Sequence, residues 1–170
     1  SGRFTGLGSE NVTLTDTGNS GSGVSIANLN TLYYYTTGYI NAESITAVSG
    51  SLANLLTAYN SNGITGLGNE AIAVTDNTVT SSSMNTLDTN TSGNVSASAV
   101  TRIYGSIAEL LTLYGSFSVG YLGNESITIT DTTINARELN RLNNYTSGVI
   151  NAGSITTLIG SIVDLNVAFA

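Results

Sequence analysis

The 170-residue chain contains no cysteine, histidine, lysine, tryptophan or proline. Without cysteine it has no disulfide framework and no thiolate ligand for zinc. The absence of histidine, cysteine and lysine also removes the usual general bases, thiol nucleophiles and Schiff-base residues. We therefore expect a protein that is not an enzyme, with no catalytic residues and no cofactor.

Charged residues are scarce, at 9% of the chain, and the net charge is −7. Nucleic acids and anionic membrane surfaces are bound through basic patches, so neither is an expected partner. No apolar run approaches the roughly 20 residues of a membrane-spanning helix. Serine, threonine, asparagine and glycine supply solubility instead, which favours an extracellular or cell-surface location. The chain begins at Ser1 without an initiator methionine or signal peptide, which predicts a processed chain or a segment of a longer one.

The chain is organised around a repeat. A glycine-serine pair followed by an apolar run occurs at 50–56, 105–111 and 160–166, in steps of 55 residues. In each case the serine is placed to cap a helix, and a polar residue stands at the third helical position. This period defines repeat 1 at 1–60, repeat 2 at 61–115 and repeat 3 at 116–170. Repeat 1 is longer because of a Gly/Ser/Asn insertion at 18–23, which predicts a surface loop.

Each repeat divides into two similar halves, and each half predicts one strand and one helix. The runs at 11–15, 71–75 and 126–130 alternate apolar and polar residues, as half-buried strands do. Apolar stripes at helical spacing follow six predicted helix caps: Ser25, Ser51, Thr80, Ser106, Asn135 and Ser161. Short strands that alternate with helices call for parallel pairing through helical crossovers.

The predicted architecture is an α/β solenoid of about six β-α coils, with a parallel sheet on one face and helices on the other. The alternative is a compact, internally triplicated α/β domain. The solenoid is favoured because no half-repeat buries its own apolar face alone. Additional short strands at Ile40, Val95 and Ile150 are expected to form a second ladder.

The two ends of the chain match in phase. Residues 1–10 correspond to 61–70, and residues 164–170 correspond to 54–60, so a second chain joined to the first would continue the pattern. A solenoid without an atypical capping repeat exposes an apolar edge at each end. The expected partners are adjacent repeats of a longer chain or further chains docked head to tail, which would give a filament. The predicted end-to-end interface has seven residues: Phe4, Leu7, Val12, Leu14, Ile162, Leu165 and Phe169.

Recurring acidic residues are the one candidate for metal binding. Carboxylate oxygens suit calcium, and six acids recur at equivalent positions: Glu10, Glu70, Glu125, Asp16, Asp76 and Asp131. The sequence lacks an EF-hand loop and a calcium-binding nonapeptide. The favoured interpretation is that each Asp bonds amides of its own turn and each Glu lies on a solvated turn.

The phrases Ser-Ile-Thr-Ile-Thr-Asp at 126–131, Ala-Arg-Glu-Leu-Asn-Arg-Leu at 136–142 and Thr-Ser-Gly-Val at 146–149 resemble the tandem repeats of very large bacterial surface proteins, common in cyanobacteria. The resemblance implies secretion and a structural or adhesive role, and it transfers no catalytic residue. The predicted function is an extracellular structural protein that forms a fibre, sheath or surface layer by end-to-end self-assembly. The alternative is an adhesin or glycan-binding stalk, which an irregular cluster of exposed aromatic residues would favour.

Overall fold

The computed structural model describes residues 5–18 and 23–170, and in this part of the chain it has an α/β fold. The six helices are α1 (Ile26–Tyr35), α2 (Leu52–Tyr59), α3 (Ser81–Asn90), α4 (Ile107–Tyr114), α5 (Ala136–Asn143) and α6 (Ile162–Ala168). The fourteen strands are β1 (Val12–Thr13), β2 (Val24–Ser25), β3 (Ile40–Asn41), β4 (Ala47–Gly50), β5 (Ile64–Thr65), β6 (Ala71–Val74), β7 (Thr78–Thr80), β8 (Val95–Ser96), β9 (Arg102–Gly105), β10 (Val119–Gly120), β11 (Ser126–Ile129), β12 (Thr133–Asn135), β13 (Ile150–Asn151) and β14 (Thr157–Ile159).

The predicted helix caps are confirmed. The Ser51 hydroxyl accepts the Asn54 N–H at 3.3 Å, and the Ser106 hydroxyl accepts the Glu109 N–H at the same distance. The capping box is complete at Ser106, whose own N–H donates to the Glu109 carboxylate at 3.1 Å. Side-chain caps satisfy amides that the first helical turn leaves without partners, which explains why a polar residue immediately precedes each of the six helices.

Among the described residues every strand pair is parallel, and one helix lies between each pair of partners. These strands form four sheets, with the strand orders β1-β3-β5, β2-β4-β6-β8-β10, β7-β9-β11-β13 and β12-β14. Val48 pairs with Ile72 and Ile72 pairs with Val95, so these partners lie 24 and 23 residues apart in sequence. The separation is 28 between β1 and β3, because the 18–23 insertion lies between them. A parallel pair needs a crossover of a dozen residues or more, and here each crossover is a helix with its two turns.

The prediction of one strand per half-repeat is wrong. Repeat 2 contains five strands: β5, β6, β7, β8 and β9. The strands at Ile40, Val95 and Ile150 were expected to form a second ladder, but β8 and β13 pair with the longer strands β6 and β11. Only β3, which contains Ile40, lies in a separate sheet of two-residue strands, with β1 and β5. The reason is the short 24-residue step between partners, which brings strands from before and after a helix into one sheet.

The core lies between the helices and the sheets. Successive helices contact one another in chain order, from α1 to α6. Strand alternation is confirmed at β6, where Ile72 and Val74 are buried while Ala71 and Ala73 are exposed. No helix in the described part of the chain has the length and apolar character needed to cross a membrane.

The glycine of each Gly-Ser pair is explained by close packing. A Cβ atom on Gly50 would overlap the side chain of Ile26, the first residue of α1. A Cβ atom on Gly105 would overlap the side chain of Ser81, the first residue of α3. Glycine therefore recurs at the end of β4 and β9 because the start of the preceding helix lies directly against it.

Candidate functional site

The recurring glutamates are buried rather than solvated. Glu70 has no exposed surface, and its carboxylate accepts the Tyr59 hydroxyl at 2.7 Å and the Gly68 N–H at 2.9 Å. Glu125 is 1% exposed and accepts the Tyr114 hydroxyl at 2.9 Å. The prediction that these glutamates lie on solvated turns is therefore wrong for both. Each carboxylate reaches back across a turn to the end of the preceding helix.

These contacts change the ionisation of the tyrosines. Burial raises the pKa of Tyr59, and the hydrogen bond to the Glu70 carboxylate and its negative charge raise it further. The same causes, with Glu125 as the partner, raise the pKa of Tyr114. Both effects disfavour a phenolate, which would be buried beside a second negative group.

Glu10 is equivalent to Glu70 in sequence but differs in its surroundings. Its side chain is exposed and accepts N–H groups from Gly8 at 2.6 Å and Ser9 at 3.1 Å. The Gly8 N–H is the largest cause of a lowered pKa at Glu10. In residues 5–18 and 23–170 no tyrosine hydroxyl reaches Glu10, because no helix of these residues precedes it.

The recurring aspartates cap helices of the preceding half-repeat. Asp76 accepts the Leu52 N–H at 2.6 Å, and Asp131 accepts the Ile107 N–H at 2.7 Å. The prediction that each Asp bonds amides of its own turn is wrong at these two positions, since the amides lie 24 residues earlier. A carboxylate at a helix N-terminus is favoured by the helix dipole. Asp16, the equivalent residue of repeat 1, is exposed.

The last helix exposes the face that its equivalents bury. Leu52 and Ile107 are 7% and 6% exposed at the start of α2 and α4, whereas Ile162 is 73% exposed at the start of α6. Phe169, at the position of Tyr59 and Tyr114, is 82% exposed. Leu165 is half-buried, and α6 has no buried residue. The predicted interface residues at this end therefore form an exposed apolar surface.

The predicted interface residues at the N-terminal end are less exposed. Leu7 is 71% exposed, while Val12 and Leu14 are half-buried against the core. The remaining predicted interface residue, Phe4, lies outside the described residues. Three of the four predicted residues at this end are thus placed, and one of them is largely exposed.

Near both ends of the described chain, a strand leaves open an edge that is paired in its equivalent. Within the described ranges, β14 pairs on one edge, with β12, whereas its equivalent β9 pairs with both β7 and β11. Likewise β1 pairs with β3 alone among the described strands, whereas its equivalent β6 pairs with both β4 and β8. Unpaired edges present a row of free backbone donors and acceptors, which pair readily with another strand.

The candidate calcium ligands are not gathered into a metal site. In the part of the chain that the structure describes, no group of three or more acidic side chains is placed to hold an ion. Glu70, Asp76, Glu125 and Asp131 are instead bonded to the protein's own hydroxyl and amide groups. Their hydrogen bonds give these acids structural roles between successive half-repeats.

Exposed aromatic residues interrupt the repeat, although packing in the core or at its rim is the default expectation for the tyrosines of the sequence. Tyr34, Tyr35 and Tyr39 are exposed in repeat 1, and Phe117 and Tyr121 are exposed at the start of repeat 3. In the sequence, these residues can be found by comparing equivalent positions of the three repeats. Tyr121, for example, stands where repeats 1 and 2 have Gly6 and Gly66.

No known protein family, curated protein or solved structure with which the chain was compared matches it.

Proposed function

We propose that the chain is an extracellular structural protein, a solenoid of six β-α coils in three repeats, which extends end to end into a fibre, sheath or surface layer. The observation that carries the proposal is the exposed apolar face of α6, where Ile162 and Phe169 occupy positions whose equivalents are covered by the next coil. As the occupant of this face we propose a further copy of the repeat, from a second chain or from an adjacent repeat of a longer one, presenting the surface that contains Leu7, Val12 and Leu14.

The internal strand register specifies how the two chains would meet. Ile72 pairs with Val48, and Ile127 pairs with Ile103, across the two internal boundaries between repeats. The equivalent pair at the junction is Val12 of one chain with Leu158 of the other. Parallel pairing at this register continues both the sheet and the row of helices, and it satisfies the open edges of β1 and β14 together.

Helix capping supports the same arrangement. Asp76 and Asp131 bond the first N–H of α2 and α4, and the equivalent pair at the junction is Asp16 of one chain with Ile162 of the other. Asp16 is exposed, and among the described residues no side chain caps the Ile162 N–H. A head-to-tail contact of this kind is heterologous and does not close, so it generates a filament.

The test is the assembly state of the purified 170-residue chain, measured by sedimentation velocity over a range of concentrations and by negative-stain electron microscopy. We expect concentration-dependent, unbranched filaments. Discrete particles of the size of one chain at every concentration would overturn the proposal.

A backbone substitution makes the test specific. Across internal boundaries the Thr75 N–H donates to Gly50 and the Thr130 N–H donates to Gly105, each at 3.0 Å. The equivalent donor at the junction is the Thr15 N–H. Thr15→Pro removes this donor, and we expect it to abolish filaments while the circular dichroism spectrum is retained. Thr15→Val, which keeps the N–H, is the matched control and should assemble normally.

A glycan-binding module is the second candidate function. It is favoured by the exposed aromatic residues that interrupt the repeat, because end-to-end assembly of identical repeats does not require residues that occur in one repeat alone. Phe117 is fully exposed where repeat 2 has Asn62, and Tyr121 is exposed where repeat 2 has Gly66. Retention of the monomeric chain by immobilised polysaccharides tests this function separately from assembly.

A further inference from the structure

A groove of about 660 Å³ crosses the outer face of the sheet formed by β2, β4, β6, β8 and β10. Its floor includes the small side chains of Ala71, Ala73 and Ser96, and its lining also includes Asn94, Phe117 and Tyr121. None of the described residues that line the groove is charged. The groove is therefore shallow, neutral and bordered by two aromatic rings.

The aromatic residues Phe117 and Tyr121 differ from the residues at equivalent positions of repeat 2, which are Asn62 and Gly66. Tyr121 has a φ angle of 67°, in the left-handed region that disfavours bulky residues, and its equivalents Gly6 and Gly66 have φ angles of 89° and 86°. A tyrosine at this position holds the backbone in a sparsely populated conformation. Because its ring is 76% exposed, burial in the core does not compensate for that strain. Strain of this kind at an exposed aromatic residue points to a role outside folding.

We propose that this groove binds a neutral glycan chain, with the rings of Phe117 and Tyr121 stacked on the C–H faces of sugar units. Aromatic faces carry partial negative charge that attracts the polarised C–H groups of a sugar ring. The Ser96 hydroxyl and the Asn94 amide lie in the same groove and supply hydrogen-bond donors and acceptors for sugar hydroxyls. The inference rests on the second candidate function and is independent of end-to-end assembly.

The surroundings of the groove disfavour other ligands. The strands of its floor, β4, β6 and β8, are each paired on both edges, so a peptide lying on the floor would find no free backbone groups there for strand addition. Among the described strands, the free edges of this sheet belong to β2 and β10, at its two ends. The net charge of −7 repels acidic polysaccharides, and the neutral lining provides no partner for a charged group. A neutral chain of hydroxyl-bearing rings matches both the aromatic and the polar parts of the groove.

The tyrosines of repeat 1 form a second aromatic surface, for which the structure gives less support as a glycan-binding site. The ring of Tyr33 lies against Gly63, and the rings of Tyr34 and Tyr35 pack edge to face at 5.8 Å. These rings therefore partner the protein or one another, and none of them has a positive φ angle. They provide a control surface for the experiment.

The experiment measures binding of the chain, kept monomeric by Thr15→Pro, to a printed set of neutral and acidic glycans, followed by affinity electrophoresis in the neutral polysaccharide retained most strongly. Phe117→Asn and Tyr121→Gly install the residues of repeat 2, and we expect each to weaken binding at least tenfold. Tyr121→Gly should also raise the melting temperature, because it relieves the backbone strain. This combination separates loss of a ligand contact from loss of the fold.

Matched controls come from the other aromatic surface. Tyr34→Thr and Tyr39→Asn also install the residues of repeat 2, and binding should stay within twofold of the unsubstituted chain. The proposal is overturned if no neutral glycan is retained, if Tyr121→Gly binds undiminished, or if Tyr34→Thr abolishes binding. Filament formation is measured on the chain without Thr15→Pro, so a failure of assembly and a failure of glycan binding remain distinguishable.

Discussion

The carboxylate of Asp131 accepts the backbone N–H of Ile107 at 2.7 Å, although the two residues are 24 positions apart. Asp76 and Leu52 repeat the same relationship at 2.6 Å. An acidic residue at the end of one strand thus caps the helix of the preceding half-repeat. This contact links neighbouring half-repeats through a single charge-assisted hydrogen bond.

Removal of this carboxylate should destabilise the chain. We expect Asp131→Ala to lower the free energy of unfolding by about 1 kcal/mol, the usual effect of losing a helix cap. Denaturant titration followed by circular dichroism measures the change. Asp16→Ala is the matched control, because Asp16 is exposed and caps no described helix, and its effect on the monomer should stay within about 0.5 kcal/mol. Equal losses for the two variants would contradict the assignment.

Loss of the buried glutamate should have a larger effect. Glu70→Ala leaves the Tyr59 hydroxyl and the Gly68 N–H without their acceptor, and unpaired buried donors typically cost about 2 kcal/mol. The free energy of unfolding from denaturant titration is again the measurement. Glu10→Ala provides the exposed control at the equivalent position, and a monomer of that variant as unstable as Glu70→Ala would refute the distinction.

The raised pKa values of Tyr59 and Tyr114 predict sensitivity to alkali. The unfolded chain ionises tyrosine near pH 10, as model peptides do, so it releases these protons before the folded chain. The contribution of the two tyrosines to stability is therefore complete below about pH 10 and is lost progressively above it. Part of the tyrosinate absorbance at 295 nm should appear only as the chain unfolds.

Tyr59→Phe is the control for this titration and should reduce the late-ionising fraction. If all the tyrosinate absorbance develops with one midpoint, both with and without denaturant, the burial of these hydroxyls is contradicted.

Phe169 provides a test of the proposed junction. It stands where Tyr59 and Tyr114 bond Glu70 and Glu125, so Phe169→Tyr would supply the missing hydroxyl to Glu10 of a second chain. A hydrogen bond to a charged group contributes about 1.5 kcal/mol, so association should strengthen roughly tenfold. Sedimentation velocity measures the change. Phe169→Leu should not strengthen association, and a gain that persists in the presence of Glu10→Ala would count against this contact.

Sequence reasoning was most successful where a local rule decides the structure. Ser51 and Ser106 were predicted as helix caps because short polar side chains satisfy the first amides of a helix, and both predictions are confirmed. The buried alternation of Ile72 and Val74 was predicted from a period of two. Parallel pairing followed from strands separated by helices.

The environments of the acidic residues could not be predicted in the same way. Glu70 reads as a turn residue because Gly66 and Gly68 precede it, and local rules place a charged turn residue in solvent. Its burial depends on Tyr59, which lies eleven residues earlier and is brought to it by the packing of one half-repeat on the next. Contacts of this kind are set by tertiary packing and leave no local signal.

The strand order has a mechanical consequence. One sheet contains strands from β2 to β10. A second sheet contains strands from β7 to β13, so its first strand precedes the last two strands of the first sheet in sequence. The sheets therefore overlap along the chain. At residue 60 and at residue 115, at least one sheet contains strands from both sides of the repeat border. One repeat cut out at those borders would carry severed sheets at both ends. We expect the chain to unfold in a single cooperative transition. Under a pulling force, the borders between repeats should not be mechanically weaker than the rest of the chain.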